Sequence, residues 1–363
     1  MKVMELRIVI LLLLLLLTVS LSSGVSALKP TTDSGGSMRR SAATVTDRTG
    51  KREAFTRPLI GILSQFGGEG QPAPANSSYI AASYVKFVEA GGARAVPLLL
   101  DEPEDSLRAK FAAINGFLIP GGGASFEKDS LFRKTASLLL DMALAEFQRG
   151  EIFPVHGTCL GFQLLSVLLS DADQDIMSNF DSENYPSPLI FTDSKASKFS
   201  RFLSSFRPLL VKELAKSGIA FENHAHGVAT ADFYADASLS DFFDVLATAD
   251  DRAGANYIAM VQAAHGEPVT ATQFHPEKNA FEWVTTEDID HSAEGVELMQ
   301  TVANYFVAQA RKSSHRPASF QQEQDLLIYN YAPTFTGRSI DTNSTHVESN
   351  FDQAYIFPRS TSS

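Results

Sequence analysis

Cys159 is the only cysteine in the 363 residues, and it lies in Phe153-Pro154-Val155-His156-Gly157-Thr158-Cys159-Leu160-Gly161-Phe162-Gln163. An apolar run enters a Gly-x-Cys-x-Gly corner, and an apolar, helix-compatible segment leaves it. This is the layout of a nucleophile elbow, in which a sharp strand-to-helix turn lifts one reactive side chain above the end of a sheet. A thiol there would meet a helix N-terminus, whose dipole and free N–H groups favour the thiolate. A lone cysteine is more often a small buried hydrophobe. Here the corner, together with His275-Pro276-Glu277 downstream, points to a reactive thiol. His275 can act as base, and Glu277 can accept its second N–H and stabilise the charged ring. Acyl transfer also needs donors for a developing oxyanion. The N–H of Leu160, next after the nucleophile, is one candidate. Pro120-Gly121-Gly122-Gly123 offers a second, assigned to Gly122, unless that loop is a plain tight turn. The Lys-Ser/Thr of a phosphate-binding loop is missing from it.

These residues need a scaffold that gathers them, and the chain alternates short apolar runs with helical spacing from Leu59 onward. The pattern predicts strands over 59–63, 95–99, 116–119, 152–156 and 269–274, and helices over 80–89, 105–113, 129–148 and 294–311. Runs apolar on both faces in βαβα order imply an α/β fold: a mostly parallel sheet covered by helices on both faces, flavodoxin-like. The stretch 170–268 is hard to read, but strand-like pieces such as 255–262 suggest antiparallel additions at one edge. Ligands of such sheets bind beyond the carboxyl ends of the strands. Gly121–Gly123, Cys159 and His275 all fall at such ends.

Residues 1–27 read as a secretory signal peptide, with Lys2 and Arg7 before an apolar run from Ile8 to Thr18 and small residues at Val25-Ser26-Ala27. The run is short beside the about 20 residues of a membrane span, so no membrane contact is expected after cleavage. Residues 28–56 read as a flexible leader or propeptide with Arg39-Arg40 as a processing point, 57–313 as the catalytic domain, and 314–363 as a polar tail. Within that tail 326–331 and 355–358 are apolar enough to dock. Asn76 and Asn343 open glycosylation triplets, in keeping with a secretory route to the extracellular space or to a lysosome or vacuole. A single cysteine allows no internal disulfide. The formal net charge is −12, and −13 without the signal, whose Lys2, Arg7 and Glu5 contribute +1. That excludes nucleic acid and anionic membrane surfaces as partners and obliges any anionic substrate to find a local cation. Lys278, directly after His275-Pro276-Glu277, is the candidate, although most lysines are solvated at the surface.

The elbow, the glycine loop and His275-Pro276-Glu277 together resemble the class I glutamine amidotransferase-like fold, and within it the γ-glutamyl hydrolases. The likeness runs from about Arg57 to Phe357. It includes Arg57-Pro58-Leu59-Ile60-Gly61-Ile62-Leu63-Ser64-Gln65, Tyr79-Ile80-Ala81-Ala82-Ser83-Tyr84-Val85-Lys86, Glu282-Trp283 and Tyr355-Ile356-Phe357. The resemblance implies Cys159 as nucleophile, His275 as base, Glu277 as its partner, and no metal or organic cofactor. It implies cleavage of γ-glutamyl bonds in folate poly-γ-glutamates and a homodimer. It also implies a histidine near the nucleophile, for which His224 is the matching position and His226 the rival. Gln163 stands where some hydrolases carry Glu, and His156 replaces a bulkier aromatic. Both would touch substrate binding rather than the triad. Two other functions remain: a glutaminase-type amidotransferase domain, which the signal disfavours, and a non-catalytic folate or glutamate binder, which the intact Cys-His-Glu set disfavours.

Overall fold

Leu59–Leu63 forms the first strand, β1, and both of its faces are covered: Ile60 and Ile62 enter one hydrophobic core, Leu59 and Leu63 another. The structure is a computed structural model that describes residues 55–68, 71–337 and 351–359. The signal segment, nearly all of the 28–56 leader, and Asn343 lie outside the described residues. The other strands are β2 (Gln65–Phe66), β3 (Ser77–Ala81), β4 (Arg94–Leu98), β5 (Phe117–Ile119), β6 (Val155–Thr158) and β7 (Met177–Ser187). They continue with β8 (Ile190–Phe191), β9 (Ala220–Val228), β10 (Phe243–Asp250), β11 (Asn256–Ala263), β12 (Val269–Thr272), β13 (Pro333–Phe335) and β14 (Gln353–Pro358).

Eight of them form one sheet in the order β4-β1-β5-β6-β12-β11-β10-β8. From β4 to β12 the pairings are parallel, and β11, β10 and β8 add on antiparallel. This is the mostly parallel sheet with antiparallel edge strands that the sequence pattern implies. The long helices are α1 (Ala82–Ala90), α2 (Glu104–Ala113), α3 (Leu131–Gln148) and α4 (Leu160–Leu169), followed by Ala293–Ala310. Phe87 and Val88 of α1 join Val302 and Phe306 of the last of these in one core. Phe111 of α2, Leu139 of α3 and Leu164 of α4 join in the other. The sheet thus has helices on both faces.

The predicted helix over 80–89 starts two residues late. Ile80 and Ala81 belong to β3, because Ser77–Ala81 pairs antiparallel with β14 from the far end of the chain. Together with β2 and β13 they make a second, four-stranded sheet, ordered β13-β14-β3-β2. Within 170–268, β7 and β9 form a separate antiparallel pair that reaches over the carboxyl end of β12. No helix among the described residues is long and apolar enough to cross a membrane.

Candidate active site

β6 ends at Thr158 and α4 begins at Leu160, so Cys159 is the single residue of the turn. Its backbone lies at φ 51° and ψ −107°, where a non-glycine residue is strained, and such strain persists only when the surroundings over-determine it. They do so here. The Cys159 N–H donates to Thr272 O (2.8 Å), and the Cys159 carbonyl accepts from Gln163 N–H (3.0 Å). The residue is 5% exposed.

β12 runs parallel to β6 with Thr272 opposite Thr158, and its continuation delivers His275. The His275 N–H donates to Phe221 O on β9 (2.8 Å). The chain then turns, with Glu277 in the right-handed helical region, and this brings Glu277 Oε1 to 2.7 Å from His275 Nδ1. Nε2 is therefore the nitrogen left for the hydrogen bond with Cys159. Burial opposes a charged ring. The charges of Cys159 and Glu277 and the hydrogen bonds to both outweigh it, and raise the His275 pKa to about 10. A protonated His275 ring beside Cys159 is the state this geometry favours.

Tyr84, from α1, completes the cluster. Its hydroxyl accepts from Gly121 N–H (2.7 Å) and lies 3.4 Å from His275 Nδ1. Burial first, then the charges of Glu277 and Cys159, hold its phenol well above the ordinary value, so it stays a neutral donor. The sequence signal for Tyr84 was its place in the tract shared with the hydrolases, with no role attached to it. The glycine loop packs directly on the pair: a Cβ on Gly121 would lie 2.6 Å from His275 Cε1 and 3.1 Å from Cys159 Cβ. Gly122 has φ +148°, a conformation that side chains rarely adopt, and a Cβ there would meet Gln65 Oε1 at 2.3 Å. Gln65 Nε2 in turn donates to Gly121 O (2.7 Å) and fixes the loop. Among the described residues neither the Gly122 nor the Leu160 N–H has an acceptor, which leaves both for an incoming oxyanion.

A cavity of about 200 Å³ opens over Cys159, His275, Gly122 and Gly123. Its other walls come from Gln71, Asn223, Lys278 and Phe351. Lys278 is not a solvated surface lysine: it is buried and donates to Glu287 Oε2 (2.6 Å). Gln71, Asn223, Glu287 and Phe351 carry no local pattern that singles them out in the sequence.

The other candidates sit elsewhere. Gln163 bonds His226 O (2.5 Å) and Gln273 Oε1 (3.3 Å), tying α4 to β9, and is not among the cavity walls. His224 points with Glu222, its Nε2 3.1 Å from Glu222 Oε2 and its ring edge-on to Tyr257, away from the face where Asn223 lines the cavity. His226 is exposed and enters the site region only through its carbonyl. His156 is buried beneath the site, bonded to Thr270 Oγ1 (2.9 Å) and stacked on Phe87. Burial pushes its pKa down to about 4 against the pull of Glu277, so the ring is neutral. Asn76 is exposed just before β3.

Residues 58–277, which hold every element of this cluster up to Glu277, match the family model of peptidase C26. The chain belongs to that family. Among curated members it is 40% identical to gamma-glutamyl hydrolase 1 of Arabidopsis thaliana over 309 residues, 84% of each chain. It is 36% identical to the gamma-glutamyl hydrolase of Mus musculus, over 83% of this chain and 90% of that one. It is 34% identical to the Homo sapiens gamma-glutamyl hydrolase at the same coverage. A Thermoplasma acidophilum protein assigned to a GMP synthase has a solved structure that covers 69% of this chain and 94% of its own, at 14% identity and a TM-score of 0.41. Membership in the peptidase C26 family makes the protein a hydrolase.

Proposed function

We propose that the protein hydrolyses γ-glutamyl bonds of folate poly-γ-glutamates through a Cys159 acyl-enzyme. The observation that carries this reading is the strained Cys159 elbow facing a His275 whose Nδ1 is already committed to Glu277, in a chain 40% identical to a gamma-glutamyl hydrolase. The Cys159 thiolate attacks the γ-amide carbonyl carbon, and the Leu160 and Gly122 N–H groups receive the oxyanion. As the C–N bond breaks, the imidazolium of His275 gives its Nε2 proton to the departing amine, leaving a γ-glutamyl thioester on Cys159. Water then loses a proton to His275 and attacks the thioester. The C–S bond breaks, the carboxylic acid leaves, and the thiolate–imidazolium pair is restored. Glu277 keeps the ring oriented throughout. Each glutamyl unit carries an α-carboxylate, and Lys278 is the cation on the cavity wall that can face the one beside the cleaved bond.

The apolar N-terminal run and the triplet at Asn76 support passage through the secretory route, with the extracellular space or a lysosome or vacuole as destination, and the family likeness supports a homodimer. The test is incubation of the purified protein with pteroyl-poly-γ-glutamate and, separately, with glutamine, followed by mass spectrometry. Shortened folates without ammonia release are expected. Ammonia from glutamine with intact polyglutamate would replace this reading with a glutaminase.

A further inference from the structure

Lys278 is only 1% exposed, which is rare for lysine unless it is paired. Its Nζ donates to Glu287 Oε2 at 2.6 Å and lies 5.2 Å from the Phe221 ring centroid and 5.3 Å from that of Phe351. Glu287 also accepts from Asn223 Nδ2 (2.8 Å). Asn223, Lys278 and Phe351, all on the cavity wall, therefore belong to one connected surface. Lys278 comes from the His275 loop, whereas Phe351 comes from the far end of the chain.

Attachments on both sides hold Phe351 there, and Thr336 Oγ1 donates to its own carbonyl (2.6 Å). The Asp352 N–H donates to buried Glu282 Oε2 (2.6 Å), Asp352 Oδ2 accepts from Trp283 N–H (2.9 Å), and the residues that follow pair with β3 as β14. Glu282 and Trp283 lie just beyond the short helix Lys278–Phe281. The terminal strand is thus latched onto the same loop that presents the ammonium.

We infer that Phe351 is a positioning residue that acts through Lys278, keeping the ammonium dry and aimed at a substrate carboxylate. The aromatic faces of Phe221 and Phe351 and the Glu287 carboxylate help restrict where this buried ammonium can move. Excluding water raises the attraction between that ammonium and an incoming carboxylate. The chain needs such a device, since its net charge of −12 opposes the approach of a polyanion. The inference rests on the γ-glutamyl reading and adds to it that carboxylate recognition depends on the C-terminal strand.

The experiment compares wild type, Phe351→Ala and Phe351→Leu on pteroyl-tri-γ-glutamate and on its analogue with a carboxamide in place of the α-carboxylate beside the cleaved bond. Phe351→Ala should raise KM for the carboxylate substrate about tenfold, keep kcat within about twofold, and make KM rise more steeply with NaCl, since a hydrated ammonium is better screened. Phe351→Leu, which keeps an apolar wall without the ring, should raise KM about threefold. KM for the carboxamide should not change. Trp283 is the only tryptophan in the chain and its backbone N–H bonds Asp352, so its emission is followed as a check on that segment. If Phe351→Ala shifts that emission, Phe351→Leu decides. Unchanged KM and salt profile in a variant with native emission, or the same KM rise for the carboxamide, would overturn the inference. Failure of the wild type to cleave either substrate would instead strike the γ-glutamyl reading itself.

Discussion

Gly161 is where packing and chemistry are most tightly coupled, and Gly161→Ala separates them. A Cβ at position 161 would lie 2.0 Å from Ile119 O and 2.8 Å from Ile119 C, both backbone atoms of β5. Real Cβ contacts essentially never fall below 3.0 Å, so the first turn of α4 must retreat by about 1 Å. In open space Gly→Ala inside a helix stabilises by about 1 kcal/mol; overpacking of this kind costs about 1–3 kcal/mol. The sign of the change therefore reports the clash. At about 2–4 °C per kcal/mol for a domain of this size, a loss of several degrees in Tm is expected. The retreating turn carries Cys159 and the Leu160 N–H with it, and a misplacement of about 1 Å costs on the order of 10²-fold in rate. The assay is kcat on pteroyl-tri-γ-glutamate, normalised by iodoacetamide titration of the thiol, beside a thermal melt. Native kcat with unchanged or raised Tm would refute the close approach of α4 to β5.

Cys159→Ala should abolish hydrolysis with Tm nearly unchanged, and iodoacetamide should label one site in wild type and none in the variant, as mass spectrometry can count. His275→Asn should lose more kcat than Glu277→Gln, because the imidazole carries the proton and the carboxylate orients it; equal losses would contradict that division of roles. His224→Asn should lower Tm by leaving buried Glu222 without its imidazole partner, whereas His226→Asn should leave both Tm and kcat near wild type. Glu282 is pushed up to about 7 by burial, against the opposing pull of Ser83, the Asp352 N–H and Lys278. A raised acid contributes stability that is full below its ordinary 4.5 and is lost as pH climbs through about 7. About 3 kcal/mol should thus disappear across that window, and Glu282→Gln should flatten the Tm–pH curve there.

The arrangement of Cys159, His275 and Glu277 was legible because its parts are local. The elbow needs only a strand, a corner with two small residues and a helix, all within Phe153–Gln163, and the base with its partner lies within three consecutive residues, His275 to Glu277. The parallel sheet was legible for a related reason, since strands buried on both faces read as unbroken apolar runs. What could not be read arrives from a distance. Helical spacing continues without a break from Ile80, so the strand Ser77–Ala81 is visible only once β14 is known to pair with it. Phe351 reaches the cavity through that same pairing.

Lys278 and the histidines of β9 show two other limits. Composition alone places a lysine in water, whereas the approach of Glu287, Phe221 and Phe351 helps offset the burial of this one. On β9 the difficulty is parity. Neighbouring residues of a strand face opposite sides, so Asn223 lines the cavity while His224 turns to Glu222 and Tyr257. A choice between His224 and His226 never samples the cavity face, because both have the same parity. The side chain β9 gives to the cavity is the asparagine between Glu222 and His224, and its amide bonds the same Glu287 that holds Lys278. That strand therefore reaches the cavity through the Glu287–Lys278 network, and, on the proposed function, a change at Asn223 should be felt in KM before it is felt in kcat.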